Sequence, residues 1–213
     1  MNYVLELLPP LFVGMITTLK VFAFTLLFSV PLGVIISILR LSKNKAVNKI
    51  TRTYILVMRG TPLLLQIIFV FFGLPTIGIV FDRFTSIILA FTLNYAAYFG
   101  EIFRSGLSAV DRGQYEAATM LGMSKIQALR RVVLPQVIKI TLPVVANEVI
   151  TLVKDTSLVY IVGISDLLRV GKIASNRDVT LLPLLMVGLV YLTLTAIFTK
   201  AFDKLEESLS YYE

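Results

Sequence analysis

Long apolar stretches alternate with short basic ones along this chain, and the alternation predicts five membrane-crossing helices. The first apolar stretch covers about residues 14–39, with Lys20 and Pro31 inside it. A second follows Arg59-Gly60-Thr61-Pro62 and runs to about Val80, with Thr61 and Pro62 placed as N-cap and first helical turn. A tight connection at 81–83 leads to a third span at about 84–103; a fourth covers about 137–159 and a fifth about 181–202. Each approaches the roughly 20 residues needed to cross a hydrocarbon core. Residues 1–13 carry no Lys or Arg, contain Pro9-Pro10 and lack the positive start of a signal peptide. They read as an extracytoplasmic, interfacial segment ahead of the first span. Residues 165–176 are too polar to span and too apolar for a free loop. They predict a short outer helix capped by Ser165, with Ile164, Leu167, Leu168 and Ile173 on one face.

The basic stretches set orientation. Arg40, Lys43, Lys45, Lys49 and Arg52 form one cluster without an acid, and Arg104, Arg112, Lys125, Arg130, Arg131 and Lys139 form another. Cationic loops stay in the cytoplasm, so five spans put the amino terminus outside and the carboxyl terminus inside. Arg169, Lys172 and Arg177 count against this, although Asp166 and Asp178 accompany them.

Composition narrows the function classes. The chain is 57% hydrophobic and 15% charged, well above the apolar share of an ordinary globular domain. In so apolar a chain the net charge of +7 reads as membrane topology rather than nucleic-acid binding. Cysteine and histidine are absent, which excludes disulfides, the usual Cys/His metal sites and histidine acid–base catalysis. There is no GxxxxGK[ST] phosphate loop, so any ATP-driven work falls to a partner. With no repeat or linker, residues 14–208 read as one membrane domain.

One basic segment, 111–135, carries a distinctive spacing: Glu116-Ala117-Ala118, then Gly122, then Leu134-Pro135. Small residues facing outward on a short helix let another protein approach the backbone. Gly122 can close that helix in the left-handed conformation. Ser124 and Gln127 have capping-box spacing for a second helix, and Pro135 breaks or kinks the chain before it re-enters the membrane. The pattern resembles the EAA loop of the permease subunit of bacterial ABC importers, with Val132 where the family has Ile. Thr17-Thr18-Leu19, Arg59-Gly60-Thr61-Pro62-Leu63-Leu64-x-Gln66, Asn94-x-x-Ala97-Tyr98, Asn147-Glu148-x-Ile150 and Lys154-Asp155-Thr156-Ser157-Leu158 resemble the polar amino-acid branch of that family. The resemblance covers nearly the whole chain. It implies an all-α type I permease fold with five transmembrane helices, in the bacterial cytoplasmic membrane. It also implies two membrane subunits, an ATPase pair binding ATP and Mg, and an extracellular binding protein that delivers substrate. Glu116, Ala117, Ala118, Leu121 and Gly122 are then the ATPase-coupling residues, and this chain itself is neither catalytic nor cofactor-binding.

Cost arguments pick out the substrate path. An ionisable group within a span is expensive unless it faces a cavity or a partner. Glu148 and Asp155 fall on nearly one helix face with Thr151 between them, and Asn94, Tyr98 and Glu101 form a polar stripe on the preceding span. Asn94, Tyr98, Glu148, Thr151 and Asp155 are the candidate substrate-binding residues, suited to a zwitterion with a cationic side chain. The alternative is structural: Lys154 neutralising a neighbour and Glu148 bonding within the bundle. Arg59 reads as a cytoplasmic anchor in preference to a gate residue. The acids favour a basic amino acid such as arginine, with glutamine or another polar amino acid as the rival. A secondary transporter working without an ATPase is a more distant alternative, disfavoured because the two halves show no repeat.

Overall fold

The computed structural model describes residues 2–210, all in helices and short connections. Met1, the first residue of the segment expected at 1–13, lies outside them. Helix α1 (Asn2–Arg40) runs unbroken through Pro9, Pro10 and Pro31. The separate segment expected ahead of the first span is therefore the helix's own first turns. Leu7 and Leu11 explain why it persists: both are buried against Leu167, Ala174 and Val187, and that packing outweighs the two prolines. At about 1.5 Å per residue α1 is nearly twice as long as the hydrocarbon core is thick. One end must project.

Helix α2 (Lys45–Gly60) is amphipathic and starts at Asn44, whose side chain accepts from the Ala46 and Val47 amides. Helix α3 (Leu63–Ile68) continues through a π turn (Phe69–Gly73) and a 3-10 turn (Leu74–Ile77). The two arms meet at a bend of 104°, so the second expected span is half of a broken element. From Leu63 to Ile77 the rise is only about 22 Å, short of the core thickness of about 30 Å. Thr61 does not cap α3 as expected. Its hydroxyl turns back to the Val57 carbonyl at 2.7 Å and accepts from Gln66 Nε2 at 2.8 Å, which makes it the pin of the elbow.

Helix α4 (Arg83–Ala109), capped by Asp82, is the most enclosed of the long helices. Phe91, Tyr95 and Phe99 are fully buried in a core with Val21, Ile67, Leu152 and Val159. Its closest neighbour is α1. A Cβ added at Gly33 would lie 2.7 Å from Phe99 Cβ, and one at Gly100 would lie 2.5 Å from Ile36 Cγ2. The two backbones meet with no room for side chains between them.

The segment 111–135 forms α5 (Arg112–Met120), α6 (Lys125–Ala128) and a π turn (Leu129–Val133) that leads directly into α7 (Leu134–Asp155). The expected break at Pro135 does not occur. The π turn just ahead of it, closed by the Leu134 amide on the Leu129 carbonyl, leaves Pro135 in the first turn of α7, where its missing N–H costs little. After α7 a 3-10 turn (Thr156–Val162) leads to α8 (Leu167–Asp178) and then α9 (Leu182–Ser210). Among the described residues four helices are long and apolar enough to cross a membrane, five if the bent α2–α3 pair is one span.

The cap of α8 is Asp166, not Ser165. It accepts from the Leu168 and Arg169 amides at 3.0 and 3.1 Å. Its buried face is Leu167, Gly171, Ala174 and Ser175, whereas Ile173, expected on that face, is exposed. Six residues of helix turn Ile173 about 120° away from Leu167, whereas Gly171, Ala174 and Ser175 fall on the Leu167 side. Thr18 of α1 accepts from the Leu167 amide at 3.2 Å, joining the start of α8 to the first helix.

Candidate functional site

The elbow between α2 and α3 forms one wall of a cavity of about 570 Å³. Arg59 through Leu64 line that side, and Asn94, Tyr98, Glu148, Thr151 and Asp155 line the others. All five residues selected from the sequence therefore share one space. Asn94 is committed to the wall: its Nδ2 donates to the Met58 carbonyl at 2.9 Å and to Gln66 Oε1 at 3.0 Å. Gln66 Nε2 in turn donates to the Met58 carbonyl at 2.9 Å. A helix broken at residues 60–62 leaves polar backbone groups without ladder partners, and these two amides take up the Met58 carbonyl and, through Gln66, the Thr61 carbonyl.

The two carboxylates differ. Asp155, the last residue of α7, accepts from the hydroxyl of the fully buried Tyr95 at 2.7 Å. Glu148 has no hydrogen-bond partner among the described residues and lines the cavity half-buried. Lys154 is exposed and forms no ion pair with either among the described residues, although its charge acts on Asp155. Sequence reasoning missed Tyr95, although it precedes Tyr98 by three residues on the same helix and so lies close to the same face. It also quoted Gln66 only as part of a motif. The resemblance already put Gln66 in one string with Arg59 and Thr61, which was the available signal.

Glu101 stands apart from this group. It is paired with Arg104, Nη2 to Oε1 at 2.6 Å and Nε to Oε2 at 3.0 Å, and lines a second cavity. Arg59, expected as an anchor, lines both cavities, with its guanidinium carbon 5.0 Å from the centre of the Tyr98 ring.

At the other end of α4, Asp111 caps α5 through the Gly113 amide, and Gly122 adopts φ +74° with no atom within 4 Å of an added Cβ. Ser124 and Gln127 form the full capping box expected of them. Ala118 is buried within the segment, contrary to the outward placement expected of it, while Glu116 and Ala117 are exposed. The reason is local: the Met123 amide bonds the Ala118 carbonyl, folding the loop over its small side chain. What projects instead is apolar: Met120 is 89% and Leu121 77% exposed. Ile126 joins them.

Outside the spans, burial of Asp166 pushes its carboxyl up to about 6 despite its two amide bonds. Asp178 is held down at about 2 by Arg177 and by the Tyr3 hydroxyl, which donates at 2.6 Å.

An exposed apolar loop at one end of a helical bundle, with a polar cavity at mid-bundle, matches a known architecture. Residues 29–211 match the family described as binding-protein-dependent transport system inner membrane component. The chain is a permease subunit of that family. ATP hydrolysis in such systems is performed by a separate ATPase. Among its relatives, the arginine transport system permease protein ArtQ of Bacillus subtilis is 37% identical over 194 residues, covering 90% of this chain and 89% of that one. A putative glutamine transport system permease protein, GlnP of Rickettsia conorii, is 35% identical with 82% of each chain covered. A solved amino acid ABC transporter, crystallised with histidines, superposes with TM-score 0.89 at 34% identity over 97% of each chain. The methionine transporter MetNI in inward-facing form gives TM-score 0.71 at 17% identity, a likeness of fold alone. The permease is an amino-acid ABC importer subunit with the type I fold.

Proposed function

We propose that this permease imports a basic amino acid such as arginine by alternating access. It pairs with a second permease subunit, identical or homologous, over an ATPase dimer that binds ATP and Mg, and an extracellular binding protein supplies the cargo. The amino terminus lies outside and the carboxyl terminus in the cytoplasm. The observation that carries the substrate class is the pair of carboxylates, Glu148 and Asp155, in one cavity. An unpaired carboxylate in a poorly hydrated space is costly, and a cationic cargo offsets that cost. Thr151 and Tyr98 add hydroxyls, and Asn94 holds the opposite wall. The relative named for arginine transport supports this choice. Glutamine is the second reading, supported by the relatives named for it and by the amides and hydroxyls around the same space.

Coupling is assigned to Glu116, Ala117, Ala118, Leu121 and Gly122. The exposed Met120, Leu121 and Ile126 side chains suit a groove on the ATPase, while the buried Ala118 and left-handed Gly122 set the loop's shape. The test is reconstitution of the complete complex in vesicles. Arginine should stimulate ATP hydrolysis and enter the lumen, and glutamine should do so more weakly. Stimulation by glutamine alone overturns the choice of a basic cargo. Uptake that persists without the ATPase overturns the importer reading and favours a secondary transporter.

A further inference from the structure

Two cavities lie in succession along α4 and α7, and Arg59 is the residue common to both. The first is the candidate substrate cavity. The second, about 270 Å³, takes Glu101 and Ser105 from α4 and Thr141 and Val144 from α7. It is nearer to the 111–135 segment along both helices, because α4 leads into that segment and α7 leads out of it. From Tyr98 to Ser105, and from Thr151 back to Val144, the helical rise is about 10 Å. The second cavity is therefore a vestibule between the first and the coupling end of the bundle.

We propose that Arg59 is a movable partition between these two spaces, closed when its guanidinium lies over Tyr98 and open when it swings toward Glu101. Three observations support this. The closed position rests on a cation–π contact at 5.0 Å, a weak hold at an exposed site. No carboxylate pairs with Arg59 among the described residues, yet its charge acts on Glu148 on one side and on Glu101 on the other. Glu101 is held by Arg104 through one bond to each oxygen, and a carboxylate has about four acceptor sites, so it can receive a second guanidinium. A cation entering the first cavity repels Arg59 from its mouth. The partition thus yields to cargo of its own sign, and closes behind it when the cargo has left. The cargo rests on the reading above; the partition itself does not.

The chain has no cysteine, so single-cysteine labelling tests the partition directly. Leu158→Cys reports on the first cavity and Ser105→Cys on the vestibule, in the assembled complex in inverted vesicles with an impermeant thiol reagent. Arg59→Ala is expected to speed labelling at position 158 about three- to sixfold, as for unmasking a state populated about a sixth to a third of the time, and to leave position 105 unchanged. Tyr98→Leu, which keeps the guanidinium but removes its seat, should also speed labelling at 158. If Arg59→Ala does not assemble, Arg59→Gln and Tyr98→Leu carry the test. Unchanged labelling at 158 in these variants overturns the partition, as does an equal rise at both positions or an unreactive Ser105→Cys from the cytoplasmic side. Failure of the unaltered complex to take up any amino acid would sink the transport reading and leave the labelling result standing by itself.

Discussion

Tyr95 and Asp155 are joined by a hydrogen bond of 2.7 Å that crosses from the centre of α4 to the last residue of α7. The bond fixes one carboxylate in the cavity wall while Glu148, on the same face of α7, has no hydrogen-bond partner among the described residues. One acid is oriented in advance and the other is available to adapt. Tyr95→Phe removes the bond and keeps the ring in its buried place. Bonds to charged groups contribute about 1.5–3 kcal/mol, so the apparent affinity for arginine should weaken about tenfold or more. Uptake measured against arginine concentration checks this; unchanged affinity would detach Tyr95 from the site.

Glu148→Gln and Asp155→Asn keep size and lose charge. Transport of arginine should fall far more than transport of glutamine at matched protein levels, because an ion pair in a poorly hydrated cavity outweighs a neutral hydrogen bond. Equal losses for both substrates would remove charge recognition. A lower yield of complex with unchanged preference would make the two acids structural.

Gly122→Val strains a residue at φ +74° although space for its side chain is open. Ala118→Leu crowds a buried position in the same loop. Both should leave the membrane bundle assembled and lose the ATPase on copurification, together with ATP-driven uptake. Normal copurification with normal transport rules out the coupling assignment.

A cysteine replacing Gln114 should be shielded from an impermeant reagent applied outside intact cells, whereas one at the exposed Val179 should react. Labelling at 114 from outside would invert the orientation.

Asp166 is buried with its carboxyl pushed up to about 6 from an ordinary value near 4. In the folded chain it takes up its proton at a higher pH than in the unfolded chain. Its contribution is thus fully present below about 4 and lost as pH rises through about 6. Thermal stability of the wild type relative to Asp166→Asn should improve by an amount of order 2 kcal/mol between pH 7 and pH 4. Parallel melting profiles for the two proteins across that range would contradict the shift.

The features legible in the sequence were those tied to cost or local rule. Glu148, Thr151 and Asp155 came together because helical spacing and the expense of intramembrane charge point to one face. Gly122 and the Ser124–Gln127 box follow from short-range chemistry that tertiary contacts leave alone. Other features depend on neighbours distant in sequence. Pro9 and Pro10 read as a boundary until Leu7 and Leu11 are seen packed on α8. Ser165 and Asp166 are equal as caps on paper, and the Thr18 contact with Leu167 favours the second. The elbow at 60–62 needed Asn94, a residue of another helix, to be understood. Tyr95 was hidden for a different reason: a tyrosine in a core stripe looks apolar until its hydroxyl finds an acid.

Where Gly33 and Gly100 let α1 and α4 touch at the backbone, neither helix can slide along the other without driving Ile36 or Phe99 into main chain. Any rearrangement of the subunit must carry these two helices as a single beam. The beam ends at Ala109, where the chain passes into α5, and it carries Asn94 and Tyr98 along its length. The α2–α3 elbow, by contrast, is pinned by the Thr61 hydroxyl and the Gln66 and Asn94 amides, side-chain bonds in place of backbone packing.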